Sequence, residues 1–163
     1  MQYAPELMVS EWVNAEASVS LAALRGKVVV LHAFQMLCPG CVSHGIPQAI
    51  AIHQSFSRSD VIVLGMHTVF EHHAVMGPEA LKVFMHEYRI PFPVGVDRAQ
   101  DGSDIPCTMQ AYNLRGTPSL IVIDRQGVVQ LNHFGRAEDL GLGALIGQLI
   151  VQPYREPSVK ETN

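Results

Sequence analysis

Cys38 and Cys41 stand two residues apart in the stretch Cys38-Pro39-Gly40-Cys41, a spacing that suits redox chemistry at sulfur. The apolar, β-branched run Val28-Val29-Val30-Leu31-His32-Ala33-Phe34 precedes the pair, and a helix-compatible stretch from about 42 to 56 follows it. A dithiol placed where a strand passes into a helix meets the free amide N–H groups of the first helical turn and the positive end of the helix dipole. Both favour the thiolate form of the first sulfur. A thiolate attacks a disulfide, and a second thiol within reach resolves the mixed disulfide that results. Pro39 has no amide N–H to give, while Gly40 leaves the backbone free to bring another donor close. The competing reading of the pair is half of a zinc site. Zinc normally takes four ligands, and the chain has neither a second CxxC nor an HxxxH.

Three further sets of side chains carry candidate chemistry. His32, six residues before Cys38, has two readings: a buried base that takes the Cys41 proton during resolution, or a strand histidine hydrogen-bonded in the core. Cys107, the remaining thiol, reads as a partly buried, inert cysteine, with a second redox partner for Cys38 as the alternative. His44, His67, His72, His73 and His133, with Met36 and Met66 as soft donors, suggest a metal. Their spacing follows no ligand rule, so no metal site is expected.

The elements that must position the dithiol can be read from the pattern. After the helix of 42–56, Asp60–His67 is a short, apolar, β-branched strand. Residues 68–77 form a polar, His-rich loop. Pro78–Tyr88 places Leu81, Phe84, Met85 and Tyr88 on one helical face expected to be core, with Pro78 in the first turn. Residues 91–96 read as a short extended segment, 108–113 as a short helix, and 119–124 with 128–134 as a hairpin about Arg125-Gln126-Gly127. A helix over 138–151 closes the chain. The βαβ part should be parallel with a right-handed crossover, and the hairpin part antiparallel. Residues 1–26 read as an N-terminal extension whose apolar pieces, 6–13 and 18–24, form a hairpin or wrap onto the core. Residues 152–163 read as a flexible tail.

Composition narrows the class. The 163 residues suffice for one buried core, so a single domain over 1–163 is expected. With 48% hydrophobic and 16% charged residues, a compact globule is expected rather than disorder. A net charge of −4 and the absence of Lys/Arg runs argue against a nucleic-acid or anionic membrane surface. No apolar stretch approaches the ~20 residues of a membrane helix, and the first ten residues hold no basic patch before an apolar run, so a cytoplasmic location is expected. Three cysteines do not make a disulfide framework, and a CxxC beside a βαβ pattern in a reducing compartment reads as catalytic or metal-binding rather than as a staple.

The order of elements, with the CxxC after the first central strand and Gly116-Thr117-Pro118 before the hairpin, resembles the thioredoxin fold. The runs Leu24-Arg25-Gly26-Lys27-Val28-Val29-Val30-Leu31, Cys38-Pro39-Gly40-Cys41 and Gly116–Gly127, with the insert near 71–89, are similar to the TlpA/ResA-like (redoxin) branch of thiol–disulfide oxidoreductases. The likeness covers about Ala4 to Ile150. It implies an α/β thioredoxin-like fold: a central mixed sheet flanked by helices, with an N-terminal extension and an inserted helix. It also implies that Cys38 is the nucleophile and Cys41 the resolving thiol. Pro118 corresponds to the family's cis-proline, which faces the dithiol and, with Thr117, offers backbone hydrogen bonds to an extended peptide. Glu71 lies where related reductases carry an acidic residue that tunes the cysteines or shuttles a proton; its bland reading is a solvated loop carboxylate. Three positions depart from the family. Leu37 replaces the usual Trp, His32 stands where Asp or Asn is common, and Pro47 falls six residues after Cys41 where five is usual.

What the resemblance implies is reduction or exchange of disulfides in protein or small-molecule substrates, with electrons supplied by a reductase or a small thiol and no organic cofactor. A peroxiredoxin-like peroxidase is the alternative on the same fold. Against it, no Thr-x-x-Cys or Ser-x-x-Cys precedes the strand-end cysteine, and no arginine is evidently placed to polarise a peroxide. A non-catalytic redox sensor or metallochaperone is the third reading.

Overall fold

The computed structural model describes residues 2–155. Its centre is β2 (Val28–Phe34), whose seven residues are all buried. A central strand covered on both faces reads as a continuous apolar run, which is what this segment is. Strand β2 pairs in parallel with β3 (Val61–His67), from Val28 opposite Val61 to Phe34 opposite His67. On its other side it pairs antiparallel with β5 (Ser119–Ile123), which turns back into β6 (Val129–Phe134). The sheet is completed by β4 (Val94–Asp97), parallel to β3, and by β1 (Val9–Val13), antiparallel to β4 at the edge. The strand order is therefore β1-β4-β3-β2-β5-β6. The expected parallel and antiparallel halves are both present.

Alternation along β2 sends side chains to two apolar layers. Val28, Val30 and Phe34 meet Ile46 and Ile52 of α1 (Ile46–Ser55), Leu81 of α2 (Pro78–Glu87), and Leu142 and Ile146 of α4 (Asp139–Val151). Val29, Leu31 and Ala33 meet Leu21 and Ala4 from the N-terminal segment and Tyr112, just after the short α3 (Cys107–Ala111). The N-terminal segment thus covers one sheet face and supplies the edge strand. Its two apolar pieces do not pair with each other, because β1 takes β4 as its partner. The Glu6 carboxylate accepts the amide N–H groups of Leu21 (2.9 Å) and Ala22 (2.7 Å), which fixes the return of the chain.

One expectation is corrected. Tyr88 does not join Leu81 and Met85 in the core: helix α2 ends at Glu87, and Tyr88 lies half exposed, stacked on Phe84 at 4.3 Å. The segment expected as a flexible tail begins with contacts to the body. The Arg125 guanidinium donates to the carbonyls of Ile150 (3.3 Å) and Gln152 (2.8 Å) and lies over the Tyr154 ring. The rest of that expected tail, 156–163, lies outside the described residues. Among the described residues, no helix is long and apolar enough to cross a membrane.

The hairpin has the chemistry of its turn. Gly127 adopts φ +85°, and Asp124 Oδ1 accepts the N–H groups of Gln126 and Val128 at 2.9 Å each. The helix after the cysteines is less regular than its sequence suggests. Residues 41–45 form a π-helical turn, with the Ile46 N–H reaching back to the Cys41 carbonyl, before regular α-helix resumes. Pro47, which cannot donate, sits just inside α1.

Candidate active site

Beyond Phe34 the chain leaves the sheet through Gln35, Met36 and Leu37 and enters the helix at the dithiol. The Cys38 carbonyl accepts the Val42 N–H at 3.1 Å, the first helical hydrogen bond. Pro39 therefore occupies the first helical position, where a missing N–H costs nothing. The Cys41 N–H donates to Cys38 Sγ at 3.2 Å, and the Cys38 thiol faces the Thr117 carbonyl at 3.5 Å. Both thiols are free. The two sulfurs differ in access: Cys38 is partly exposed, whereas Cys41 is 0% exposed. Burial pushes the Cys41 thiol up to about 12, reinforced by its hydrogen bond with the Cys38 sulfur; hydrogen bonds from the Gln35 main chain and the Thr117 side chain pull the other way.

The Thr117–Pro118 peptide is cis, and the proline ring closes over the start of the helix. A Cβ at Gly40 would stand 3.3 Å from Pro118 Cδ. The Gly135 N–H donates to the Pro118 carbonyl at 2.8 Å, tying the cis-proline loop to the end of β6. The structure thus brings Cys38, Cys41, Thr117 and Pro118 together.

His32 lies beneath this group, on the same face of β2 as Phe34. It is 1% exposed, its ring stacks on Phe34 at 5.7 Å, and its Nε2 has no hydrogen-bond partner. Burial pushes its pKa down to about 4, so the imidazole is neutral at physiological pH. At this nitrogen the ring lacks the hydrogen bond that the core-histidine reading expects. The π-turn brings Gly45 against the same ring, where a side chain would collide with the imidazole and lie 3.1 Å from Pro118 Cβ.

Glu71 meets the dithiol only through an intermediary. Its Oε1 accepts from Gln35 Nε2 at 3.4 Å, and Gln35 Oε1 accepts the Phe70 N–H at 3.1 Å. On the other side, the Met36 N–H donates to His67 Nε2 at 3.3 Å. His67 is buried, desolvation pushes its pKa down to about 4, and its Nδ1 is unpartnered. Two buried side chains, Gln35 and His67, therefore pin the loop that leads into Cys38. Leu37, in the position of the missing Trp, is 60% exposed beside the nucleophile candidate.

The remaining candidates are scattered. His44 pairs with Ser43, His133 with the Arg136 carbonyl, and the Cys107 thiol donates to the Ala99 carbonyl at 3.7 Å. Among the described residues, no group of three or more His, Cys, Asp or Glu is placed to hold a metal. Sequence reasoning passed over Gln35, Gly45 and His67 as parts of the site. The signals were a lone amide between apolar residues, a glycine inside a helical stretch, and a histidine ending a buried strand.

The fold and the dithiol at the strand–helix junction define a thioredoxin-like protein. A crystal structure of a thioredoxin-like superfamily protein superposes with TM-score 0.93 at 52% identity, covering 95% of this chain and 100% of that one. A thiol-disulfide isomerase from Corynebacterium glutamicum superposes with TM-score 0.88 at 54% identity, covering 92% and 98%. The chain belongs to the AhpC/TSA family, whose sequence profile matches residues 2–132. Protein DipZ of Mycobacterium bovis is 27% identical over 150 residues, which cover 90% of this chain and 20% of that protein. The chain thus spans about a fifth of the length of the curated relatives it matches.

Proposed function

We propose that the protein exchanges thiols and disulfides through Cys38 and Cys41, reducing disulfide-containing proteins or small molecules. The observation that carries this reading is the asymmetry of the pair: a reachable Cys38 sulfur that accepts a helix N-terminal amide, and a buried Cys41 one turn further on. The similarity to a protein described as a thiol-disulfide isomerase supports it.

The Cys38 thiolate attacks one sulfur of a substrate disulfide, the substrate S–S bond breaks, and one substrate sulfur leaves as thiolate. A mixed disulfide with Cys38 remains, with the substrate lying along Thr117 and Pro118. Cys41 then gives up its proton to His32 or to water, and its thiolate attacks Cys38 Sγ. The second substrate sulfur leaves, and the Cys38–Cys41 disulfide has received the oxidation. Two electrons have passed to the substrate, and a reductase or small thiol, oxidised in its turn, supplies two more to restore the dithiol. His32 offers an unpartnered nitrogen, but the burial that pushes its pKa down to about 4 opposes protonation there, which favours water as the acceptor. In a cytoplasm poised far below strongly oxidising dithiols, the location we propose, the direction is reduction of clients.

The test is insulin disulfide reduction by the protein, with Cys38→Ser as control. Turnover that requires Cys38 supports the reading. Peroxide consumption without added disulfide would favour a peroxidase instead, and a stoichiometric metal on Cys38 and Cys41 would favour a metallochaperone.

A further inference from the structure

Gln35 is 1% exposed, and its polar groups are spent on the surroundings of the dithiol. Its main-chain carbonyl accepts the Cys38 N–H at 3.2 Å. The ladder between β2 and β3 ends with Phe34 opposite His67 and one further bond, from the Thr68 N–H to the Phe34 carbonyl. Beyond that point the Gln35 side chain takes over, accepting from Phe70 and donating to Glu71. The amide does both at once from two atoms, its oxygen accepting a backbone N–H and its nitrogen donating to a carboxylate. A leucine offers neither, and a glutamate in that place sets a second negative charge against Glu71.

We propose that Gln35 is a positioning residue for the resolving step: its side chain, clamped to Phe70 and Glu71, fixes the main chain against which Cys38 and Cys41 are set. The proposal rests on the thiol–disulfide reading of this site. The Gln35 main chain also lies close enough to the Cys41 thiol to favour its thiolate. Without the clamp that contact loosens, Cys41 is deprotonated less often, and the mixed disulfide on Cys38 lives longer.

The experiment uses an aromatic disulfide that releases one coloured thiolate when Cys38 attacks and a second when Cys41 resolves, followed by stopped flow from neutral to alkaline pH. Gln35→Leu should slow the second release about tenfold more than the first and move its pH profile alkaline by about one unit. Gln35→Glu should also be slow. Gln35→Glu/Glu71→Gln reinstates one donor and one acceptor with the roles exchanged, and should bring the second release back to within about threefold of the parent. An unchanged second release and pH profile in Gln35→Leu overturns the proposal. So does a cooperatively folded Gln35→Glu/Glu71→Gln protein as slow as Gln35→Leu. Absence of the first release in the parent protein would instead overturn the thiol–disulfide reading itself.

Discussion

Gly45 lies against the imidazole of His32: a Cβ on Gly45 would stand 2.8 Å from the unpartnered Nε2. The contact joins the π-turn after the dithiol to the one titratable side chain that β2 places beneath it.

Replacement of Gly45 should therefore reverse the usual order of helix propensity. Alanine is ordinarily about 1 kcal/mol better than glycine inside a helix. At Gly45 the methyl group must displace His32 or Pro118, and overpacking of that kind costs about 1–3 kcal/mol. Gly45→Ala is expected to lower stability in urea denaturation. Gly143→Ala in α4, where a Cβ meets nothing within 4 Å, should raise it by about 0.5–1 kcal/mol. Equal gains at both positions would show that the packing against His32 does not hold in solution.

Mild acid should weaken the fold. His32 and His67 have an ordinary value of 6.5 and are held at about 4 when folded. Above 6.5 both states are neutral and nothing changes. As pH falls from 6.5 towards 4, the unfolded chain takes up protons that the folded protein refuses, so stability declines. The full loss is about 3 kcal/mol per histidine. His32→Leu should remove about half of the decline, measured as urea midpoints at neutral and mildly acidic pH. A pH-independent parent would count against the neutral, buried state of both rings.

Removal of the resolving thiol should leave the first step intact. Cys41→Ser is expected to accumulate a covalent adduct on Cys38 with a disulfide-containing client, visible by mass spectrometry under non-reducing conditions. Cys38→Ser should form none on Cys41, because Cys41 is buried. Adducts on Cys41 in equal yield would reverse the order of the two sulfurs.

Asp97 anchors the ground behind the site. Its carboxylate accepts Thr108 N–H (2.7 Å), Met109 N–H (2.9 Å) and Thr68 Oγ1 (2.9 Å), closing the start of α3. Asp97→Ala leaves two buried amides without a partner, at a cost of about 2–4 kcal/mol. Hydrogen exchange at Thr108 and Met109 should quicken with it; unchanged protection would mean that other acceptors replace the carboxylate.

The strands at 28–34 and 61–67 were legible in the sequence because strands buried on both faces leave little choice but apolar, β-branched residues. The dithiol and the cis Thr117–Pro118 bond were legible because each belongs to a local motif. Strand β1 was not: Val9–Val13 is short and half exposed, and its partner β4 lies some eighty residues further on. Gly45 read as one more residue of a helix, since its reason for being glycine is the ring of His32 on another element. Gln35 gave no local sign either, because its partners Phe70 and Glu71 come from the far side of a crossover.

The widened turn at 41–45 has one more consequence. Each residue of a regular helix rotates the next by about 100°, so adding one would swing everything downstream off its face. A turn closed by a five-residue hydrogen bond swallows that surplus. Ile46, Ala49 and Ile52 keep their aim at the sheet, and the proline that follows can sit one step later without re-registering the helix. A chain shortened by one residue there could close the ring normally and still present the same three side chains inward.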